Sequence, residues 1–453
     1  MSDLTLKQEV MQTRRALGKS VVIPAHHYEM DEVVQMADFL GDSYKLAVDC
    51  AATDSQYIVF CGVMFMAEGA ALLAKPYQKV LIPDMTAGCP MADMIDSIQA
   101  EKIYDRISKM CDRQIIPIVY MNSYADMKAF CGSREGTVCT SSNATKIVRH
   151  FLDQGKSVFF APDYNLGINT ANQLGLARDE VVTIRRDLSV ELYDPDLEGY
   201  DHPKDGKKSR KTNSLKNSTL GDSALEESTL EESALKDATL LKKAKMFVWD
   251  GFCHVHKVFT VNDINSFRRQ YGDPGSGDGI VEEQNVNESI AGDRNASDGI
   301  VGDPGSSGSA AGNSSVGGRQ INVIVHPECH ESVVEAADYS GSTSMIWNTV
   351  KAGKPGSIWA VGTEFRFVQR MADQFKDKTV VPLRKSVCHN MSKITLEKLG
   401  NTLKSVQDHI SGSVQDHTSA EGRLLNQVTV SDEYKEDAKK ALQLMIDIVE
   451  AGK

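Results

Sequence analysis

Three cysteines stand where chemistry could be done: Cys89 in TAGCPM, Cys253 in DGFCHVH and Cys388 in KSVCHNM. Each follows a short apolar run, Val80-Leu81-Ile82, Met246-Phe247-Val248-Trp249 or Thr379-Val380-Val381-Pro382. A second set of polar residues closes other apolar runs: His26 and Tyr28, Tyr120 and Asn122, His326 and Glu328. The spacing from His26 to Cys89 is 63 residues and from His326 to Cys388 is 62; from Tyr120 to Cys253 it is 133. One cysteine at a strand end is an ordinary small buried residue. One at the same place in three related segments points to a shared ligand. Three thiolates without a fourth suit an iron–sulfur cluster with one open iron, or a Cys₃ zinc.

The segments are related because the chain repeats itself. VVIPAHHYEMDEVVQMADFLGDS from Val21 matches INVIVHPECHESVVEAADYSGSTS from Ile321 at an offset of 300, and a diverged middle copy begins at Ile115. Each copy runs strand, amphipathic helix, a hydroxyl-rich segment (Gly41-Asp42-Ser43, Cys139-Thr140-Ser141-Ser142, Gly341-Ser342-Thr343), buried strand, helix, last strand. Continuous apolar strands alternating with helices predict small parallel sheets covered on both faces. The expected fold is α/β: three α/β/α sandwich domains related by a pseudo-threefold axis. Ligands gather at the carboxyl ends of such strands, so the site and the three cysteines are expected at the common interface.

The expected domains are 1–100, 101–260 and 261–400, with a linker and helix over 401–453. Two inserts interrupt them. Residues 178–244 hold a leucine every five residues from Leu215 to Leu240, a period that fits neither helix nor strand. Residues 272–318 carry eight acidic residues against Arg294, in a Gly/Ser background that cannot bury enough surface to order itself. Residues 401–427 contain a smaller duplication, SVQDHISGSVQDHTS. All three regions read as solvated loops without chemistry.

The chain has 453 residues and a formal charge of −12, from 50 Lys+Arg against 62 Asp+Glu. The length suggests two to four domains. The acidic balance argues against general nucleic-acid binding. No apolar run reaches the roughly 18 residues of a membrane span, and the first residues lack a signal-peptide pattern. Nine cysteines, an odd number without a CxxC pair, argue against a disulfide framework. A cytoplasmic protein is expected. Cys61 and Cys139 read as core, and Cys329 draws attention beside the HPE motif.

Taken together, AHHY, ADFLGDS, PDMTAGCPM, YMNS, CTSSNA, APDYNLG, WDGFCHVHKVF, HPEC, ADYSGSTSMI, GTEF and CHNMSKITLEKL closely resemble the quinolinate synthase family over residues 20–400 outside the inserts. The resemblance implies a transferase of de novo NAD biosynthesis. It would condense iminoaspartate with dihydroxyacetone phosphate to quinolinate, phosphate and water. It also implies one [4Fe–4S] cluster per chain on Cys89, Cys253 and Cys388, whose open iron acts as a Lewis acid, and functional coupling to L-aspartate oxidase.

Counterparts of His26, Tyr120, Asn122, His326 and Glu328 contact the dicarboxylate substrate in that family. Ser43, Ser141, Ser342 and Thr343 precede helices, where free N–H groups and the helix dipole favour carboxylate or phosphate; plain N-capping would use the same residue types. Tyr28, His326 and Glu328 are the catalytic candidates, and burial is expected to raise the pKa of Glu328. His256, three residues after Cys253, is assigned a substrate or supporting role. Thr363, Glu364, Asp163 and Asn165 are expected to face or brace the cavity. His27, His150 and His389 read as core or surface. Two other readings stay open at this point. One is another three-cysteine cluster enzyme, such as the diphthamide-biosynthesis radical enzymes; the other is a non-catalytic cluster or zinc scaffold.

Overall fold

The strands of the three copies pair in the same register. Ala25 lies between Leu40 and Cys61, Val119 between Val138 and Ala161, and Val325 between Ser340 and Gly362, all in parallel. Two residues before the last of these partners, Val59, Phe159 and Ala360 pair with Leu81, Phe247 and Val381 of a fourth strand. Each unit is therefore a four-stranded parallel core with strand order 2-1-3-4. The computed structural model describes residues 3–187, 190–192, 241–272, 315–316, 319–412 and 424–451.

The strands are short and apolar because helices cover both faces. Ile115–Tyr120, Ser157–Ala161 and Ile358–Gly362 are buried at every position. The flanking helices show the matching stripe: Ala144, Ile147, Val148 and Phe151 are the buried face of Ala144–Leu152. The helix Asp432–Glu450 lies against the helix Ala125–Gly132 so closely that a Cβ on Gly132 would stand 1.8 Å from the Asp437 carbonyl oxygen. Only glycine fits that crossing.

Three expectations change. The hydroxyl-rich segments begin as strands, Phe39–Gly41, Thr137–Cys139 and Tyr339–Ser340, which are too short to show an alternating pattern. The first insert starts later than composition suggested. Val181–Ile184 is a buried strand beside Met246–Trp249, and Val190–Leu192 pairs antiparallel with it; a four-residue run between charged flanks was lost in the polar background. The leucine pentads and most of the acidic insert lie outside the described residues, although Ser315–Val316 pairs antiparallel with Arg319–Val325. The third change concerns 401–427. The helix Leu396–Ser411 takes in its first part, burying Thr402, Leu403 and Val406. Its end joins the first sheet, where the Ile82 N–H donates to Asn426 O and the Val428 N–H to Val80 O. Residues 413–423 lie outside the described residues.

No helix among the described residues is long and apolar enough to cross a membrane.

Candidate active site

The common register brings the strand ends of all three units to one cavity. Its wall includes His26, Tyr28, Ser43, Tyr120, Asn122, Ser141, His256, His326, Glu328 and Thr343, together with Cys89, Cys253 and Cys388. Among the described residues no lysine or arginine lines it, and the donors that do line it, His26, His326, Tyr120, Asn122 and the Ser and Thr hydroxyls, can meet an anion.

Ser342 is the exception among the candidates: it does not line the cavity. Its hydroxyl accepts the Met345 N–H as the N-cap of Thr343–Ala352, which leaves Thr343 as the group that faces the cavity. Asp42 caps Ser43–Ala52 in the same way by accepting the Lys45 N–H, but here both the cap residue and Ser43 line the cavity.

Two histidines occupy equivalent strand ends and make equivalent bonds. The Tyr28 N–H donates to His26 Nδ1 at 3.1 Å, and the Glu328 N–H to His326 Nδ1 at 3.3 Å. A ring nitrogen that accepts is unprotonated, so both rings present Nε2–H. Burial lowers both pKa values, that of His326 to about 3, with His256 as the next cause. Both rings are neutral hydrogen-bond donors at physiological pH.

Glu328 joins the units. Tyr120 O–H donates to its Oε1, and His256 Nδ1 lies 2.9 Å from its Oε2. His256 Nε2 is 3.0 Å from Thr363 Oγ1, which is 2.7 Å from Tyr28 Oη. Tyr28, Thr363, His256 and Glu328 therefore form one continuous hydrogen-bonded run. The ring of His256 stacks on His326 at 4.3 Å.

The expected rise in the Glu328 pKa is not found. Burial pushes it up, but the His256 and His326 rings and the bonds from His256 and Tyr120 outweigh burial and hold it well below the usual range. Glu328 is a carboxylate and accepts hydrogen bonds. Burial raises both tyrosines well above 10, and the charge on Glu328 adds to the rise. They keep their protons.

The three cysteines are half-buried, while Cys61, Cys139 and Cys329 are fully buried and off the cavity. Each of the three opens a similar turn: the N–H groups of Asp93, Lys257 and Ser392 donate to the carbonyls of Cys89, Cys253 and Cys388. Burial raises the thiol of Cys89 to about 12 and that of Cys388 to about 11, and Cys253 goes up well above its ordinary value. The charges of Cys89 and Cys388 add to the rise at Cys253. The backbone N–H groups of Met91 and Ala92 at Cys89, and of Asn390 and Met391 at Cys388, act the other way. The three thiols line one cavity, where a bound cation or cluster would stabilise their ionised form, and the N–H groups favour the ionised sulfur. The donor set fits a three-cysteine cluster. Cys253, His256 and Glu328 also place donor atoms within 4.8 Å of one another, but both nitrogens of His256 are already engaged.

The bracing residues explain themselves in the fold. Glu364, N-cap of Phe365–Gln374, lies 3.4 Å from the Cys388 N. Asp163, N-cap of Tyr164–Gln173, accepts the Cys253 N–H. Sequence reading passed over His254, which lines the cavity; the CHVH string was the available signal. His27 is buried, and His150 and His389 are exposed.

The fold and the site define an α/β protein of three like units with a three-cysteine cavity at their junction. The quinolinate synthetase A protein family matches residues 8–275 and 315–447. The chain is 35% identical over 452 residues to the "Quinolinate synthase" of Streptomyces coelicolor, covering 98% of this chain and 89% of that relative. It is 34% identical over 450 residues to that of Geobacillus sp. strain WCH70 (98% and 94%) and 33% identical over 434 residues to that of Haloarcula marismortui (95% and 88%). The chain belongs to the quinolinate synthase family, as its motifs indicated.

Proposed function

We propose that this chain condenses iminoaspartate with dihydroxyacetone phosphate to give quinolinate, phosphate and two waters, as a cytoplasmic step of de novo NAD biosynthesis coupled to an L-aspartate oxidase. The atoms balance without an external oxidant. The observation that carries the reading is the meeting of Cys89, Cys253 and Cys388 with His26, Tyr120, Asn122, His326 and Glu328 on one cavity.

Cys89, Cys253 and Cys388 would hold a [4Fe–4S] cluster, which supplies a Lewis acid for loss of hydroxide. The chain's own residues do the rest. His26 and His326 donate Nε2–H to carboxylates, with Tyr120 and Asn122 beside them. Ser43, Ser141 and Thr343 offer hydroxyls to the remaining anions at helix starts. Glu328 accepts a proton. Tyr28, Thr363 and His256 form a hydrogen-bonded run to Glu328, which orients the carboxylate and keeps Tyr28 Oη as a hydrogen-bond donor at the same face of the cavity.

The test is anaerobic purification, with iron, sulfide and zinc determined per chain, then addition of dihydroxyacetone phosphate and freshly generated iminoaspartate. About four irons per chain with quinolinate formed supports the reading. Four irons without quinolinate transfers it to another cluster enzyme. One zinc and no iron after reconstitution refutes the cluster and leaves a scaffold.

A further inference from the structure

The loop after the first strand of each unit carries one cavity residue at its centre: Tyr28, Asn122 or Glu328. In all three loops the carbonyls on either side of that residue are gripped by a single side chain. Arg370 donates to His27 O at 2.7 Å and Glu29 O at 2.8 Å. Asn169 Nδ2 donates to Pro327 O at 2.8 Å and Cys329 O at 2.9 Å. Lys128 Nζ donates to Met121 O at 3.2 Å and to Ser123 O.

The grips follow the pseudo-symmetry. Arg370 and Asn169 are the sixth residues of the equivalent ten-residue helices Phe365–Gln374 and Tyr164–Gln173. The third unit thus grips the loop of the first, and the second grips the loop of the third. The equivalent helix of the first unit, Met64–Leu73, has Gly69 at its sixth position, where a Cβ would meet open space. The second unit's loop is gripped instead by its own Lys128, from the helix Ala125–Gly132. Glu68, one residue before Gly69, accepts the Ala125 N–H at 3.0 Å and so still joins the first unit to the second.

We infer that Arg370, Asn169 and Lys128 are equivalent positioning residues, each holding the backbone on both sides of one cavity residue and so aiming Tyr28, Glu328 and Asn122 at the substrate. Two of the three grips cross between units. The geometry of the cavity is thereby tied to the packing of the units, and a small relative shift moves a reacting group. Arg370 and Lys128 hold their carbonyl pairs by charge-assisted bonds and Asn169 by two neutral ones, and a carbonyl pair fixed at both ends is the precise placement that proton transfer needs.

The kinetic part of the test rests on the proposed reaction; the structural part does not. Backbone hydrogen exchange on the full chain is compared for wild type, Arg370→Leu, Arg370→Lys and Asn169→Leu. Arg370→Leu is expected to speed exchange at least tenfold at residues 27–31 and to leave 121–123, 328 and 329 unchanged. Asn169→Leu is expected to speed exchange at Glu328 and Cys329 and to leave 27–31 unchanged. Arg370→Lys is expected to restore protection, since Lys128 shows that an ammonium can bridge two carbonyls. In turnover, Arg370→Leu should lower kcat about tenfold or more with KM little changed, and should add nothing in a Tyr28→Phe background. Uniform acceleration over all three loops, failure of Arg370→Lys to restore protection, or full additivity with Tyr28→Phe would overturn the inference. Should Arg370→Leu not fold, the exchange pattern of Asn169→Leu and Arg370→Lys decides it. A wild type that makes no quinolinate would refute the proposed reaction and leave the exchange pattern to decide the grips.

Discussion

His256 Nδ1 lies 2.9 Å from Glu328 Oε2, joining the cysteine loop of the second unit to the strand end of the third. Both side chains are buried. Removing either end leaves one buried polar atom of the other without this partner, which is costly in a buried site.

Glu328→Gln is expected to lower quinolinate formation by about 10²–10⁴-fold, the range of a lost general base. Iron content and far-UV circular dichroism should match wild type. Near-normal turnover would remove Glu328 from the mechanism.

Thr363→Val interrupts the run between Tyr28 and His256, whose atoms lie 2.7 Å and 3.0 Å from its hydroxyl. Two buried polar groups lose a partner, at about 1–3 kcal/mol of stability. We expect kcat to fall more than tenfold with a smaller change in KM, measured alongside a urea melt. Unchanged kcat would show that Tyr28 does not act through this chain.

Ser342→Ala and Thr343→Val separate capping from binding. Loss of the Ser342 cap should cost about 1 kcal/mol and leave KM unchanged. Loss of the Thr343 hydroxyl should raise KM and leave stability nearly unchanged. The opposite pattern would return Ser342 to the binding set.

Acid should destabilise the fold through its buried histidines. Burial holds His27 at about 4 and His326 at about 3, below the ordinary 6.5. The unfolded chain takes up these protons first, so stability is full above pH 6.5 and is lost as pH falls towards 4. His27 alone contributes on the order of 3 kcal/mol across that window. Urea midpoints at pH 7, 6, 5 and 4 should decline steadily, and a flat profile would contradict neutral buried rings.

Cys89→Ser, Cys253→Ser and Cys388→Ser should each lower iron and sulfide per chain sharply, whereas Cys61→Ala should not. Iron retained in any of the first three would remove that residue from the ligand set.

Much of this was legible in the chain itself. The 300-residue offset between His26 and His326, and the recurrence of a cysteine after each last strand, already implied three units and a shared cavity. The alternation of buried strands and helices implied their layers. Periodicity and spacing are local properties, and repetition makes them visible even through two inserts. What the sequence could not carry is whatever depends on facing neighbours. Composition could not show that Glu328 is held ionised, because its pKa is set by His256, His326 and Tyr120 from other elements. Nor could it separate Ser342 from Thr343, adjacent hydroxyls of which one turns into the helix and the other to the cavity. The two-carbonyl grips of Arg370 and Asn169 span 343 and 160 residues at their widest. Only the packing of the units brings such partners within bonding distance, because a hydrogen bond is decided by tenths of an ångström and sequence spacing by whole turns and strands.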